Sequence, residues 1–90
     1  QLQGKFKNSV NFPRKEPDVR LRRLSGKLIY ELDLPGVKSV NDILINRLES
    51  SLEIKALADN EVYLKQLPVT FPILDCRFTK ETLTIELATE

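Results

Sequence analysis

Apolar side chains occupy every second position in four segments of the chain, and polar or charged side chains lie between them. The four sets are Leu28, Tyr30, Leu32 and Leu34; Leu52, Ile54 and Ala56; Leu74, Cys76 and Phe78; and Leu83, Ile85 and Leu87. A strand puts alternate residues on one face, whereas a helix would spread them around its circumference. The spacing therefore predicts strands with one buried face, and it places Cys76 on such a face with Leu74 and Phe78.

Short apolar segments separated by turn residues are typical of antiparallel sheets packed face to face. We therefore predict an all-β fold, an antiparallel seven-stranded β-sandwich. The predicted strands are 18–24, 27–34, 42–46, 51–56, 62–67, 69–78 with a break at Pro72, and 82–88. Residues 40–45 also fit one helical turn, but their β-branched isoleucines favour a strand.

The residues between these strands are those that tight turns require. Residues 34–37 read Leu-Pro-Gly-Val, in which proline pre-sets φ and glycine supplies the positive φ of a type II turn. Asp59-Asn60 predicts a hairpin turn, and residues 79–81 form a short connection between the last two strands. Because proline cannot donate a ladder hydrogen bond, Pro68 and Pro72 predict an edge or a crossover between the two sheets.

Charge is distributed unevenly along the 90 residues, although the net charge is only +1. Residues 1–27 contain eight basic and two acidic side chains, whereas residues 28–90 contain six basic and eleven acidic ones. We interpret residues 1–17, with two prolines and no sustained period, as a flexible basic linker, and residues 18–90 as the β-sandwich domain. The first residue is Gln1, so we expect the chain to be a piece of a longer protein.

The composition offers little for catalysis. Histidine is absent, which removes the commonest general base and the commonest zinc ligand. The three glycines are too widely spaced for a phosphate-binding loop, and the acidic residues are not clustered as calcium requires. We predict no enzyme activity, no catalytic residues, no metal, no cofactor and no small-molecule substrate. No apolar run is long enough for a bilayer, and the single cysteine indicates a reducing, intracellular compartment.

Nucleic-acid binding is the alternative function that the basic residues suggest. Arg20 and Arg22 lie on one face of a predicted strand. They would neutralise several phosphates together with four basic residues of the linker, Lys5, Lys7, Arg14 and Lys15. Single-strand readers also need an aromatic platform on an adjacent strand. The chain has no tryptophan and two tyrosines, and Tyr30 shares its face with Leu28 and Leu32. Tyr30 is therefore predicted to lie in the core, with its hydroxyl at the rim.

Two stretches of the chain resemble a known family. Residues 29–37, Ile-Tyr-Glu-Leu-Asp-Leu-Pro-Gly-Val, resemble the strand and turn of CS domains, a sandwich found in co-chaperones and, more distantly, in small heat-shock proteins. The region from Leu67 to Leu87 is similar to the closing hairpin of the same domains. The combination, which covers residues 18–90, is most similar to the C-terminal domain of PIH proteins (protein interacting with heat-shock protein 90).

The resemblance implies an adaptor that binds a tetratricopeptide-repeat co-chaperone. Such adaptors link heat-shock protein 90, with which contact is expected to be indirect, to RuvB-like AAA+ ATPases during assembly of box C/D small nucleolar ribonucleoproteins. It also implies a cytoplasmic and nuclear location. We expect the partner to add a strand at a sheet edge. The candidate partner-binding residues are Arg20, Leu21, Arg22 and Arg23 of the basic strand, then Leu67, Val69 and Phe71 of the proline-marked segment.

Overall fold

The computed structural model describes residues 12–89, which form eight strands and one turn of 3-10 helix. The strands are β1 (Arg14–Lys15), β2 (Asp18–Leu24), β3 (Lys27–Asp33), β4 (Ile43–Arg47), β5 (Leu52–Leu57), β6 (Val62–Leu67), β7 (Ile73–Thr79) and β8 (Thr82–Ala88). The 3-10 turn, Val40–Asp42, directly precedes β4. In this part of the chain no helix has the length and apolar character that crossing a membrane requires.

The strands form two four-stranded sheets. The first sheet has the order β1-β6-β5-β4, and the second has the order β2-β3-β8-β7. Every neighbouring pair is antiparallel except β1 and β6, which run parallel over two residues. Within the described residues, β2 and β7 are the edges of the second sheet, and β1 and β4 are the edges of the first. The predicted all-β sandwich is confirmed, with β1 as an additional short strand.

The core lies between the sheets and is built from the alternating residues. Eight leucine and isoleucine side chains are almost completely buried: Leu32, Leu34, Leu52, Ile54, Leu67, Leu83, Ile85 and Leu87. They come from both sheets, so each sheet covers the apolar face of the other. Tyr30 is buried with them, as predicted. Burying a leucine or isoleucine side chain contributes about 1.5–3 kcal/mol, so these positions hold the two layers together.

The turn after β3 connects the two sheets at one end of the sandwich. Gly36 has φ +90°, and the amide of Val37 donates to the carbonyl of Leu34 at 3.1 Å, as the predicted turn requires. The hydroxyl of Tyr63, on β6, donates to the carbonyl of Pro35 at 2.9 Å. The turn of one sheet is therefore fixed to a strand of the other.

Two segments differ from the prediction. Residues 69–72 are not a strand, because Pro68 and Pro72 cannot donate ladder hydrogen bonds. Strand β7 begins only at Ile73. Within the predicted linker, Arg14–Lys15 pair with β6. Residues 1–11 of that linker lie outside the described residues, so the boundary at residue 17 stays a prediction.

The predicted alternation fails in β7, where a β-bulge interrupts the register. Ile73 pairs with Leu87, but the next pair is Asp75 with Glu86, which leaves Leu74 as the extra residue. Leu74 is exposed, contrary to the prediction of an inward side chain. Cys76 pairs with the core residue Ile85 but is also exposed, because it lies at the edge of the sandwich. Its predicted burial was therefore wrong.

Gly36 allows a first test of the contact between turn and sheet. A Cβ at this position would lie 3.2 Å from the Cβ of Ala58, and its φ lies in the region that side chains disfavour. We expect Gly36→Ala to lower the free energy of unfolding by about 1–3 kcal/mol, since placing a residue with a side chain in the left-handed conformation alone costs about 1–2 kcal/mol. Urea denaturation measures this loss. The same substitution in an Ala58→Gly background should cost less, because the steric part is relieved. Equal costs in both backgrounds would contradict the proposed contact.

The connection between β7 and β8 is a strained two-residue turn. Lys80 and Glu81 have φ of 51° and 62°, values that asparagine and glycine adopt at lower cost. We expect the double change Lys80→Asn with Glu81→Gly to stabilise the domain by about 0.5–1 kcal/mol. For a domain of this size that is a rise of several degrees in Tm, roughly 4–8 °C per kcal/mol. A Tm that is unchanged or lower in thermal melts would show that the side chains compensate for the backbone strain.

Candidate protein-binding edges

The basic strand β2 carries arginines that already have partners within the domain. The guanidinium of Arg20 lies 2.5 Å and 3.1 Å from the two carboxylate oxygens of Asp33, and 3.4 Å from Glu31. Arg22 lies 3.7 Å from the other oxygen of Glu31. The strand register explains this arrangement, since Arg20 is directly opposite Glu31 on β3. Two of the four predicted residues of this strand therefore face acids of their own sheet.

The ion pairs continue across the outer face of the second sheet. Lys27, on β3, and Arg77, on β7, both reach Glu86 on β8, at 3.3 Å and 2.8 Å. Arg77 also pairs with Asp75. These contacts lower the pKa of Glu86, chiefly through the hydrogen bond from Arg77, and the hydrogen bond from Arg20 lowers the pKa of Asp33. The outer face is therefore a set of mutually neutralised charges and not a purely cationic surface.

The other two predicted residues of β2 lie on the opposite face of the strand. Leu21 pairs with Tyr30 and Arg23 with Leu28, so both belong to the face that turns toward the core. Leu21 is nevertheless 43% exposed, because the first sheet does not extend over this edge. Leu21, Arg23 and Leu24 are exposed and, unlike Arg20 and Arg22, form no ion pair among the described residues.

The proline-marked segment divides into buried and exposed positions. Leu67 and Val69 are part of the core, with exposures of 2% and 8%, so they cannot present a binding surface. Leu67 is the last residue of β6 and lies opposite the buried Leu52, and Val69 follows where the chain leaves the first sheet for the second. Phe71 is exposed, and its carbonyl accepts a hydrogen bond at 2.6 Å from the guanidinium of Arg47 on β4. The segment contributes Phe71 alone to the surface.

Strand β7, which the sequence analysis assigned to the core, is as exposed as β2 and also carries apolar side chains at its surface. Six of its seven residues are exposed, including Ile73 and Leu74, and Phe71 lies just before it. Among residues 12–89 no strand pairs with its outer side. We call Phe71, Ile73, Leu74 and Cys76 the β7 edge. The bulge leaves Leu74 on the surface, and no signal in the sequence marks a bulge there apart from Pro72. Phe71 and Ile73 precede the bulge, and Cys76 is exposed because it lies at the edge of the sandwich.

The thiol of Cys76 is exposed but has little nucleophilic character. Partial desolvation, and secondly the carboxylate of Asp75, raise the pKa of this thiol. A higher pKa lowers the thiolate fraction near neutral pH. Cys76 therefore contributes a small apolar surface to the β7 edge.

Within the described part of the chain, no group of three or more histidine, cysteine, aspartate and glutamate side chains is placed to hold a metal ion. Asp33 and Glu86, two carboxylates of the outer sheet face, are bound to arginine and lysine, which lower their pKa, whereas a catalytic acid has a raised pKa. The predicted lack of catalysis and of cofactors stays a prediction.

Comparison with known proteins identifies the fold. No protein-family model matches the chain, and no curated protein is significantly similar to it in sequence. Solved structures do match. Heat shock protein 16.0 from Schizosaccharomyces pombe has a TM-score of 0.69 at 17% identity, over 82% of this chain and 86% of that one. HSP18.5 from E. histolytica has a TM-score of 0.69 at 10% identity, over 82% and 88%.

A third similar structure is the truncated small heat shock protein AgsA from Salmonella typhimurium. Its TM-score is 0.67 at 12% identity, over 83% of this chain and the whole of that one. At these identities the likeness establishes the fold and nothing further. The chain has the β-sandwich of the small heat-shock proteins, to which the sandwich of CS domains is related.

The ion pair between Arg20 and Asp33 is expected to make the free energy of unfolding depend on pH in the acid range. The pKa of Asp33 is below its ordinary value of 3.8, so the stabilisation is present above that pH and is lost as the pH falls through the lowered pKa. We expect Arg20→Ala to reduce the free energy of unfolding at pH 7 more than Arg23→Ala, the matched control. Urea denaturation at several pH values should show the difference between the two variants closing below pH 3.8. A difference that is absent, or independent of pH, would contradict the assignment.

Proposed function

We propose that this domain is the protein–protein interaction module of a chaperone adaptor. In this proposal it binds a tetratricopeptide-repeat co-chaperone and thereby links heat-shock protein 90, indirectly, to RuvB-like AAA+ ATPases. The linked machinery would assemble box C/D small nucleolar ribonucleoproteins and other complexes in the cytoplasm and nucleus. The resemblance of residues 29–37 and 67–87 to the C-terminal domain of PIH proteins supports this proposal, and the sandwich fold is compatible with it.

The exposure of the β7 edge is the observation on which the proposed interaction rests. A strand without a partner presents a row of backbone donors and acceptors, which is the template that an added strand uses. Proteins usually protect such an edge with charges, but the charged residues of β7, Asp75 and Arg77, are paired with each other, and Phe71, Ile73 and Leu74 are exposed. An edge that combines open backbone groups with apolar side chains favours association over protection.

The geometry of the β7 edge limits the length and the position of the extended segment that could pair with it. The strand is seven residues long, so an extended segment of about the same length would pair with it. At one end the hydrogen bond from Arg47 to the carbonyl of Phe71 connects the edge to β4 of the other sheet. The segment would therefore lie beside β7 on the side near β4, where Ile45 and Phe78 are only partly buried.

The basic strand β2 is the second candidate surface. Arg20 and Arg22 would have to exchange Asp33 and Glu31 for acids of the partner, so their net gain on binding is small. Leu21 and Arg23 have no such competition. Pairing with the same acids also weakens the alternative of nucleic-acid binding, because a phosphate would have to displace a carboxylate from each arginine.

Three substitutions distinguish these surfaces. We expect Leu74→Asp to weaken binding of the co-chaperone by at least about tenfold, or roughly 1.4 kcal/mol, since it places a charge on the β7 edge. Arg23→Glu tests β2 and should have a smaller effect. Val40→Asp is the matched control, because Val40 is as exposed as Leu74 and lies on the 3-10 turn. Isothermal titration calorimetry measures all three.

The same titrations test the function as a whole. Undiminished binding by Leu74→Asp would remove the β7 edge from the proposal, and failure of the wild-type chain to bind the co-chaperone would remove the adaptor function. Single-stranded RNA, titrated at about 0.05 M and 0.2 M salt, is the comparison ligand. Tight RNA binding that falls steeply with salt would favour the nucleic-acid alternative.

A further inference from the structure

The hairpin that joins β2 to β3 presents a serine hydroxyl directly after two arginines. Residues 22–25 read Arg-Arg-Leu-Ser, and Ser25 and Gly26 form the tight turn between the two strands. Among the serines and threonines of the described chain, Ser25 is the one whose second and third preceding residues are both basic. Protein kinases that select their substrates by charge bind such arginines with carboxylates beside the catalytic cleft. The function proposed above makes no use of this arrangement.

The side chains of this sequence are accessible at the surface. Residues 20–25 are exposed without interruption, and among residues 12–89 no hydrogen bond involves the hydroxyl of Ser25. Arg23 forms no ion pair in the described part of the chain, and the contact of Arg22 with Glu31 is long, at 3.7 Å, and open to solvent. Because a surface pair of this kind is weak, both guanidinium groups are available to the carboxylates of another protein.

The end of β2 can enter a cleft without disturbing the core. Strand β2 is an edge strand, hydrogen-bonded to β3 alone, and the pairs nearest the turn are Leu24 with Lys27 and Arg23 with Leu28. The side chains of residues 20–25 are exposed, so they contribute little to the apolar contact between the sheets. Fraying of a strand end with few buried contacts is a local opening that leaves the rest of the domain folded.

The other side of the turn is attached to the domain. The carbonyl of Gly26, a residue with φ +73°, accepts a hydrogen bond at 3.0 Å from the amide of Thr89. The ammonium of Lys27 lies 3.3 Å from Glu86 on β8. The start of β3 therefore stays in place, and the fraying is confined to residues 22–25, the four residues that a kinase would contact.

The covalent step is a phosphoryl transfer from ATP. The Oγ of Ser25 forms a bond to the γ-phosphorus, the bond from that phosphorus to the β,γ-bridging oxygen breaks, and ADP leaves. The hydroxyl proton passes to the catalytic carboxylate of the kinase. The modified side chain carries about −1.5 to −2 charges at pH 7, which balances the two positive charges of Arg22 and Arg23.

We propose that Ser25 is a phosphorylation site for an arginine-directed serine/threonine kinase, that Arg22 and Arg23 are its recognition residues, and that the phosphate cancels the positive charge at this end of β2. The kinase acts on the folded domain through the frayed strand end. Because β2 and β7 are opposite edges of the second sheet, the modification changes the charge of β2 and leaves the β7 edge unaltered.

Phosphorylation of the 90-residue chain by the catalytic subunit of the cyclic-AMP-dependent protein kinase, with MgATP, tests the site. We expect one phosphate per chain, which tandem mass spectrometry locates at Ser25, and none in Ser25→Ala. Arg22→Gln and Arg23→Gln should each lower kcat/KM at least about tenfold, because each removes a charge-assisted contact with the kinase. Arg14→Gln is the matched control, since it removes the same charge from an exposed arginine of β1, and its kcat/KM should stay within about twofold of wild type.

Gly36→Ala distinguishes reaction of the folded domain from reaction of the unfolded chain. Gly36 follows the end of β3, whereas Ser25 precedes its start, so the two turns lie at opposite ends of the sandwich. The destabilisation expected for this variant raises the unfolded fraction by about five- to 150-fold, and urea denaturation gives the actual ratio. Fraying at Ser25 is unaffected, so kcat/KM should remain within about twofold of wild type.

Phosphorus NMR tests the charge balance in the modified domain. The nearby guanidinium groups should hold the second pKa of the phosphate below its ordinary value of about 6, because they favour the dianion. Arg23→Gln, phosphorylated by prolonged incubation, should show a smaller shift. An unshifted pKa in the wild-type chain would show that the phosphate leaves the charge of β2 uncancelled.

Three further results would overturn the proposal. The first is a chain that takes up no phosphate, or takes it up at another residue. The second is a kcat/KM that is the same for Arg22→Gln, Arg23→Gln and wild type. The third is a kcat/KM for Gly36→Ala that rises in proportion to the unfolded fraction. Circular dichroism identifies the variants that are folded. None of these measurements involves the co-chaperone, so the phosphorylation site can fail while the adaptor function stands.

Discussion

The packing of two apolar sheet faces against each other is the constraint on which the rest of this structure depends. Side chains such as Leu32, Ile54 and Ile85 are completely buried, and they come from the central strands of both sheets. With this interior sealed, the surfaces left for other molecules are the outer faces and the edge strands. The outer faces and the edge strands differ in how they are shielded from other molecules.

The outer face of the second sheet is occupied by ion pairs, and the edge strands differ in how far they are protected from pairing with other chains. Strand β6 is covered by β1 and carries an inward lysine, whereas β7 has neither a covering strand nor an unpaired charge and exposes apolar side chains. Natural proteins usually protect their edge strands, so an edge strand without protection indicates a binding role. This asymmetry is the physical reason for assigning protein binding to β7.

Much of the fold was predictable from the sequence because alternation and turn chemistry are local. Leu83, Ile85 and Leu87 identify a half-buried strand by spacing alone, and the proline and glycine of residues 34–37 fix a turn that the structure confirms. The register between strands is not local. The pairing of Arg20 with Asp33 depends on how β2 lies against β3, so a strand that looked cationic proved to be neutralised.

The candidate site was the hardest part to predict, for a related reason. A single extra residue, Leu74, reverses the alternation in β7, and Cys76 is exposed by its place at the edge of the sandwich. Strand β1 was missed because two residues cannot show a period. Leu67 and Val69 flank Pro68, which predicted an edge, yet both side chains are buried in the core.

Amide hydrogen exchange of the 90-residue chain, with and without the tetratricopeptide-repeat co-chaperone, tests the central claim most directly. If an extended segment adds to the open edge, the amides of Ile73–Thr79 that face away from β8 become protected on binding, while those along β2 exchange at their original rates. Protection confined to β2, or complex formation that leaves the amides of β7 unchanged, would contradict the account.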